Sequence, residues 1–132
     1  MWQKFKIKNK HMKRLSVLLL GIFYLFAGMN HFWHPDFYYP LIPTYLPQPV
    51  LLNYASGVIE MLLGAGVLYN NTRKYACYGI ISLLVLFIPS HIWFIQKGGC
   101  MSESLCVPVW VAWVRLLLVH PLLIWWAYTS KK

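Results

Sequence analysis

Hydrophobic positions dominate four long stretches of the chain, and short polar or proline-rich segments separate them. The stretches cover about residues 15–32, 50–69, 75–96 and 107–128. Each approaches the roughly 20 residues that a helix needs to cross a bilayer, and short connections make neighbouring helices antiparallel. The pattern predicts an all-α fold, a transmembrane four-helix bundle that forms a single domain over residues 15–132.

Basic residues are distributed unevenly about this predicted bundle. Cytoplasmic loops of membrane proteins collect lysine and arginine. Ten such residues lie at one end of the bundle, six of them in a basic N-terminal segment over residues 1–14: Lys4, Lys6, Lys8, Lys10, Lys13, Arg14, Arg73, Lys74, Lys131 and Lys132. Only Lys97 lies in a connection at the opposite end. The imbalance predicts that both termini are cytoplasmic, and we expect the bacterial cytoplasmic (inner) membrane as the location.

Composition supports the membrane setting and narrows the partners. The chain is 59% hydrophobic and 11% charged, with a net charge of +9, whereas an ordinary soluble domain is roughly 25% charged. A basic segment directly before a spanning helix is typical of an anchor at lipid headgroups. We therefore expect the lipid bilayer and other membrane protein subunits as partners, and no nucleic acid.

Glu60 is the most informative residue, because it lies in the middle of the second apolar stretch. A carboxylate at that depth costs roughly 2.5 to 3.5 kcal/mol unless it is paired, protonated or facing water. Helical spacing places it on one face with small and polar neighbours, namely Asn53, Ser56, Gly57 and Gly64. A similar stripe on the first stretch consists of Gly21, Tyr24, Gly28 and His31. Small residues let membrane helices approach closely, so we expect the two stripes to meet, with Gly21, Gly28, Gly57 and Gly64 as packing residues.

Arg115 in the fourth stretch is the expected partner of Glu60. A rise of about 1.5 Å per residue puts Glu60 roughly 15 Å and Arg115 about 12 Å below the outer ends of their helices. Opposite charges at similar depth in a low dielectric are better together than apart. The sequence therefore predicts an intramembrane ion pair, or a hydrogen-bonded link through His91, with His31 in the same outer cluster and His120 outside it.

The histidines, the cysteines and the proline-rich connection give weaker evidence for a function than Glu60 does. His31 and His34 are one helical turn apart, but Pro35 starts a non-helical segment there, so we predict no metal site. Cys100 and Cys106 share the outer connection, and a structural disulfide is favoured over free thiols. Their spacing differs from the C-x-x-C of catalytic dithiols. The aromatic, proline-rich connection over residues 35–49 is typical of an interfacial belt, although a substrate-gating lid is the alternative.

Several motifs in order resemble the DoxX-like family of small four-helix integral membrane proteins. The motifs are AGMNHF at 27–32, IPTYLP at 42–47, YASGVIEMLLGAGVL at 54–68, IPSHI at 88–92 and WVRLLLVHP at 113–121. The family commonly has an asparagine where this chain has His91, and the segment from Cys100 to Cys106 is a local addition. The resemblance implies a four-helix membrane protein. Some relatives are associated with quinone-linked sulfur oxidation or thiol redox control, and others with membrane assembly.

Three functions follow from these observations. The first is an accessory subunit of a larger membrane complex, linked to quinone or thiol redox chemistry, with a quinone or lipid in an outer-leaflet pocket around Glu60, Arg115 and His91. The second is a non-enzymatic membrane assembly or scaffold factor. The third is an oligomeric small-solute transporter. No nucleotide loop, nucleophile elbow, zincin motif or electron-carrier motif is present in the sequence, so we do not expect an enzyme acting alone.

Overall fold

The first two of the four predicted spans are continuous helices. The computed structural model describes residues 1–132, most of them helical. α1 runs from Trp2–Trp33, so the basic segment is helical too, because no proline interrupts it. It ends before Pro35, which disfavours helical geometry in the residue that precedes it. The next long helix, α3, covers Pro49–Leu68 and lies within one residue of the predicted span.

The third and fourth spans are interrupted. α4 (Arg73–Leu86) and α5 (Ile88–Gln96) meet at Phe87, because Pro89 cannot donate the hydrogen bond that would continue the helix. α6 (Val109–Val114) and α7 (His120–Ser130) are joined by a π-helical turn at Arg115–Val119, next to Pro121. Taken whole, Arg73–Gln96 and Val109–Ser130 join α1 and α3 as four segments long and apolar enough to cross a membrane.

The two connections at the end of the bundle opposite the termini contain short regular elements. The proline-rich one contains the short helix α2 (Pro35–Tyr38) and a 3₁₀ turn at Tyr39–Leu41. The other forms an antiparallel hairpin of β1 (Cys100–Ser102) and β2 (Leu105–Cys106). The disulfide between Cys100 and Cys106 closes it. This hairpin is a small β element that the all-α prediction did not contain.

The four spans pack side by side in a ring, in which α3 contacts α1 and α4, and α7 contacts α4 and α1. Two apolar clusters fill the interior. The larger lies toward the end that carries both termini and contains Val17, Leu20, Tyr24, Val67, Ala76, Cys77, Ile80, Leu84 and Ala127. The smaller lies toward the hairpin and contains Leu41, Phe94 and Ala112. Polar residues occupy the level between them.

Candidate functional site

The candidate site is this intermediate level, which we call the polar layer. It consists of His31 on α1, Asn53 and Glu60 on α3, His91 on α5, Arg115 at the π-helical turn and His120 on α7. On the third and fourth spans, His91, Arg115 and His120 lie between members of the two apolar clusters, and on α1 and α3 the polar residues lie on the hairpin side of the larger cluster. His31, Asn53, Glu60 and His120 are buried, so the layer is closed from solvent over much of its extent.

Glycines bring α1 and α3 together at this layer. Gly28 faces Gly57, and Gly21 faces Gly64 two turns further along. A Cβ on Gly28 would lie 2.5 Å from the carbonyl oxygen of Gly57, and one on Gly64 would lie 2.8 Å from that of Gly21. Real Cβ atoms essentially never come within 3.0 Å of such an atom. The two stripes found in the sequence therefore lie against each other, at a separation that only glycine permits.

Asn53 fixes the orientation and the tautomer of His31. Its Nδ2 donates to the carbonyl oxygen of His31 at 3.0 Å, which leaves its Oδ1 2.7 Å from His31 Nδ1. The reverse amide orientation would set two oxygens against each other. Nδ1 of His31 therefore carries a hydrogen and donates it to Asn53, and the second ring nitrogen, Nε2, is free for another partner.

That partner is Glu60. Nε2 of His31 lies 3.4 Å from Oε2 of Glu60, and the side chains are only 8% and 7% exposed. A bare nitrogen lone pair would repel a carboxylate oxygen, so a proton on one of the two atoms stabilises the contact, although at 3.4 Å the contact is longer than a hydrogen bond. The proton can reside on His31 as an ion pair or on Glu60 as a neutral pair. Two sealed polar atoms here, Glu60 Oε2 and the Tyr24 hydroxyl, have no hydrogen-bond partner.

Tyr38 covers the outer side of this pair. Its ring stacks on His31 with centroids 3.8 Å apart, and its oxygen accepts a 2.7 Å hydrogen bond from Asn30 Nδ2. Burial raises the pKa of the Tyr38 hydroxyl above its ordinary value, although the Asn30 hydrogen bond acts in the opposite direction. The charges of Glu60 and Arg115 both reach this hydroxyl, and they shift its pKa in opposite directions. Tyr38 therefore lies within the electrostatic influence of both halves of the layer.

The predicted pair of Glu60 and Arg115 is wrong. The only ion-pair contact in the structure joins Glu60 to His31, and the guanidinium carbon of Arg115 lies instead 5.3 Å from the centre of the Phe94 ring. The physical reason is the order of the helices around the ring. Because α3 packs between α1 and α4, the fourth span is diagonal to it, and the glycine contact brings α1 closer.

His91 does not link Glu60 to Arg115 either. Its ring meets that of His120 edge to face, with centroids 4.7 Å apart, and Nε2 of His120 forms a 2.6 Å hydrogen bond with the carbonyl oxygen of Leu84. The expectation that His120 lies outside the cluster is therefore wrong. Ser56, although on the face of Glu60, donates to the carbonyl of Leu52 at 2.7 Å in its own helix.

The sequence reasoning missed Tyr38 and His120 as members of the site. Tyr38 lies in a four-residue helix, which is too short for a periodic signal, and only the chain reversal at Pro35 brings it over His31. His120 was placed by counting residues from the helix ends, and that count ignored the interruptions in the third and fourth spans. No group of three or more His, Cys, Asp or Glu side chains in the structure could hold a metal ion.

Fold and site together define a class: a small protein with four helical segments long and apolar enough to cross a membrane and a polar layer at the level of Glu60. The chain belongs to a family described as a domain of unknown function, DUF8561, whose model matches residues 20–130. This match includes every residue of the polar layer. No curated protein and no solved structure matches the chain.

Proposed function

We propose that this chain is an accessory integral membrane protein, a subunit of a larger membrane complex, in which His31 and Glu60 hold one exchangeable proton. The observation that carries the proposal is the 3.4 Å contact between Nε2 of His31 and Oε2 of Glu60. Asn53 orients that contact from the other side of the imidazole ring. Helix packing needs none of these three side chains, because the glycines already give α1 and α3 a close fit.

Proton exchange suits this pair for an electrostatic reason. With one shared proton, the pair has no net charge whichever residue carries it, so the apolar surroundings tolerate both forms. Loss of the proton leaves an uncompensated negative charge, and that charge costs free energy in a low dielectric. A neighbouring group that changes its charge during a reaction would therefore make the pair release or bind its proton.

Quinone or thiol redox chemistry is the reaction class to which we link this proton. Oxidation of a quinol releases protons, and a histidine with a carboxylate can accept them. The resemblance to DoxX-like proteins supports the same link. Another subunit would supply the electron carrier, and a quinone or lipid-like molecule would approach the pair on the side of Tyr38. We place the end rich in lysine and arginine in the cytoplasm of a bacterial cell and the polar layer in the outer half of the inner membrane.

The experiment measures protonation of the Glu60 carboxyl group in the wild type and in three variants. Glu60→Gln and His31→Gln each remove one partner, and Ser56→Ala is the matched control, because that hydroxyl bonds only within its own helix. Infrared difference spectra over a pH titration of protein reconstituted in lipid should show a carboxyl change in the wild type and in Ser56→Ala. Because Asp36 and Glu103 also have carboxyl groups, the part of the change that belongs to Glu60 is taken as the difference from Glu60→Gln, and that part should be altered in His31→Gln. A carboxyl signal that is identical with and without His31 would show that the two groups share no proton.

Association with a redox complex needs its own measurement. Purification of the chain from its native membrane in mild detergent, followed by identification of bound proteins and quinones, should recover an electron-carrying subunit or a quinone. Recovery of a monomer that holds neither would contradict the accessory redox role, whatever the infrared result.

A membrane assembly or scaffold factor is the second candidate, and the fourth span favours it. This span is the least buried of the four, and large aromatic side chains on it are exposed, with Trp110 at 66% and Trp125 at 64%. Aromatic residues are enriched where proteins bind one another. A photocrosslinking amino acid at position 125 should capture a membrane protein if this face binds a partner, and lipid alone if it does not.

A further inference from the structure

A basic cleft lies at the end of the bundle opposite the hairpin, where α1 around residues 10–18, the C-terminal residue and the connection between α3 and α4 come together. Its volume is about 610 Å³, and five of its lining residues carry cations: Lys10, Lys13, Arg14, Arg73 and Lys132. We propose that this cleft binds one anionic phospholipid through the phosphate of its headgroup. Basic segments are attracted to anionic membranes in general, and that attraction needs no cleft. Here the cations surround one cavity, so they form a discrete binding site.

Positive charge in the cleft is not compensated by the protein's own acidic side chains. The chain has three acidic residues, and none of them lines the cleft. Asp36 lies in α2 and Glu103 in the hairpin at the other end, and Glu60 lies in the polar layer. Like charges gathered around one cavity repel each other, so a bound phosphate would relieve that repulsion while gaining charge-assisted hydrogen bonds.

The start of α4 adds to this potential. It is a 14-residue helix with no acidic residue in its first turn and no side-chain cap, so its dipole presents partial positive charge there. Thr72, at the cap position, donates instead to the carbonyl oxygen of Gly66 at 2.7 Å. Arg73 donates from Nε to the carbonyl oxygen of Val67 at 2.9 Å. This bond fixes the guanidinium at the cleft and leaves its terminal N–H groups for a ligand.

Lipid is a better candidate than soluble phosphate, because apolar side chains share the cleft with the cations. Leu18 and Leu68 line it and remain 47% and 36% exposed. They belong to the last turns of the apolar segments, at the level where headgroups meet acyl chains. A lipid would satisfy both surfaces, with its phosphate among the cations and its first methylene groups against the leucines. A free phosphate would leave the leucines in water.

The test uses two double variants of the full chain that remove the same charge from the same helix. Lys10→Gln with Lys13→Gln changes two cleft residues, and Lys4→Gln with Lys6→Gln is the control outside the cleft. Native mass spectrometry of protein from micelles of phosphatidylcholine with a minor share of phosphatidylglycerol should show one retained phosphatidylglycerol in the wild type. Each lysine near an anionic headgroup contributes about 1 kcal/mol, so the cleft variant should bind it about 30-fold more weakly. The control should change by less than about threefold.

Four results would overturn the inference. Equal losses in the two double variants would mean that the attraction is general to the basic helix. No loss in the cleft variant, or no preference of the wild type for phosphatidylglycerol over phosphatidylcholine, would remove the site. Finally, pyrophosphate that binds the wild type but not the cleft variant, without displacing lipid, would identify a soluble phosphate as the ligand. The cleft shares no residue with the pair of His31 and Glu60, so none of these outcomes bears on the proton proposal.

Discussion

Gly57→Ala should disturb both the packing of the bundle and the proton pair. A Cβ at this position would lie 2.8 Å from the carbonyl oxygen of Gly28, 2.8 Å from Cβ of His31 and 3.0 Å from a ring carbon of Phe32. The first two atoms belong to the backbone of α1 or are attached directly to it, so no side-chain rotation relieves the contact. The backbone of α1 must move away from α3 at this point.

The structure gives the size of that movement and its cost. Ordinary contact begins near 3.4 Å, so α1 must shift by about 0.6 Å at this point. Overpacking of this kind costs about 1 to 3 kcal/mol, and the better helix propensity of alanine offsets about 1 kcal/mol of it. The same shift would stretch the 2.7 Å hydrogen bond between His31 and Asn53 to about 3.3 Å, past the usual limit of roughly 3.2 Å. The proton pair should therefore loosen.

Gly64→Ala is the matched control, because its Cβ would lie 2.8 Å from the carbonyl oxygen of Gly21 and 2.8 Å from the backbone nitrogen of Leu25. Unfolding followed by circular dichroism in detergent should show a similar loss, up to about 2 kcal/mol, for both variants. The nitrogen NMR chemical shifts of the isotope-labelled His31 ring should change in Gly57→Ala but not in Gly64→Ala. Equal changes in both variants, or none in Gly57→Ala, would refute the reasoning that Gly57 sets the distance from α3 to His31.

The other predictions concern the residues around the layer and the outer hairpin. Asn53→Leu leaves a buried donor and acceptor of His31 unpaired and should cost about 2 to 4 kcal/mol in chemical unfolding, so a loss below about 0.5 kcal/mol would contradict the hydrogen-bond assignment. Replacing Cys100 and Cys106 by serine removes the crosslink of a short loop, and this loss costs about 2 kcal/mol. Amide hydrogen exchange should therefore become faster in the hairpin, while the exchange rates of the helices stay the same. Because burial raises the pKa of Tyr38, the folded state holds the phenol proton more tightly, and stability should be intact below about pH 10 and fall above it. Tyr38→Phe should make that alkaline fall smaller, and coincident curves for variant and wild type would exclude the effect.

Local patterns in the sequence predicted the parts of the fold that depend on short-range chemistry. The bounds of α3 follow from an apolar run with Pro49 at its start, and proline is favoured in the first turn of a helix. The meeting of the two glycine stripes follows from helical spacing, which fixes the face that a residue occupies. Neither inference needs the positions of distant elements.

The partner of Glu60 depended on information that spacing does not contain. Depth estimates place residues along the membrane normal, but Glu60 and Arg115 at similar depth can still lie across the ring from each other. The neighbour relations of the four spans decide this, and they arise from long-range packing of α3 with α1 and α4. The interruptions at Phe87 and at Arg115–Val119 also shift residues along and around the helix axis, so counts from helix ends lose accuracy beyond them.

Charge is balanced differently in the two halves of the polar layer, and this difference supports an accessory role. On the buried interface of α1 and α3, Glu60 is compensated within the chain by His31. On the fourth span, Arg115 is half-buried and meets an aromatic ring but no carboxylate. This cation lies on the least buried of the four spans, near the exposed Trp110 and Trp113. An uncompensated cation at membrane depth is costly, so an anionic group from outside the chain would stabilise it. Glu60 and His31 therefore balance each other within the chain, whereas Arg115 has no carboxylate partner in the chain and would be stabilised by an anionic group from another subunit or ligand.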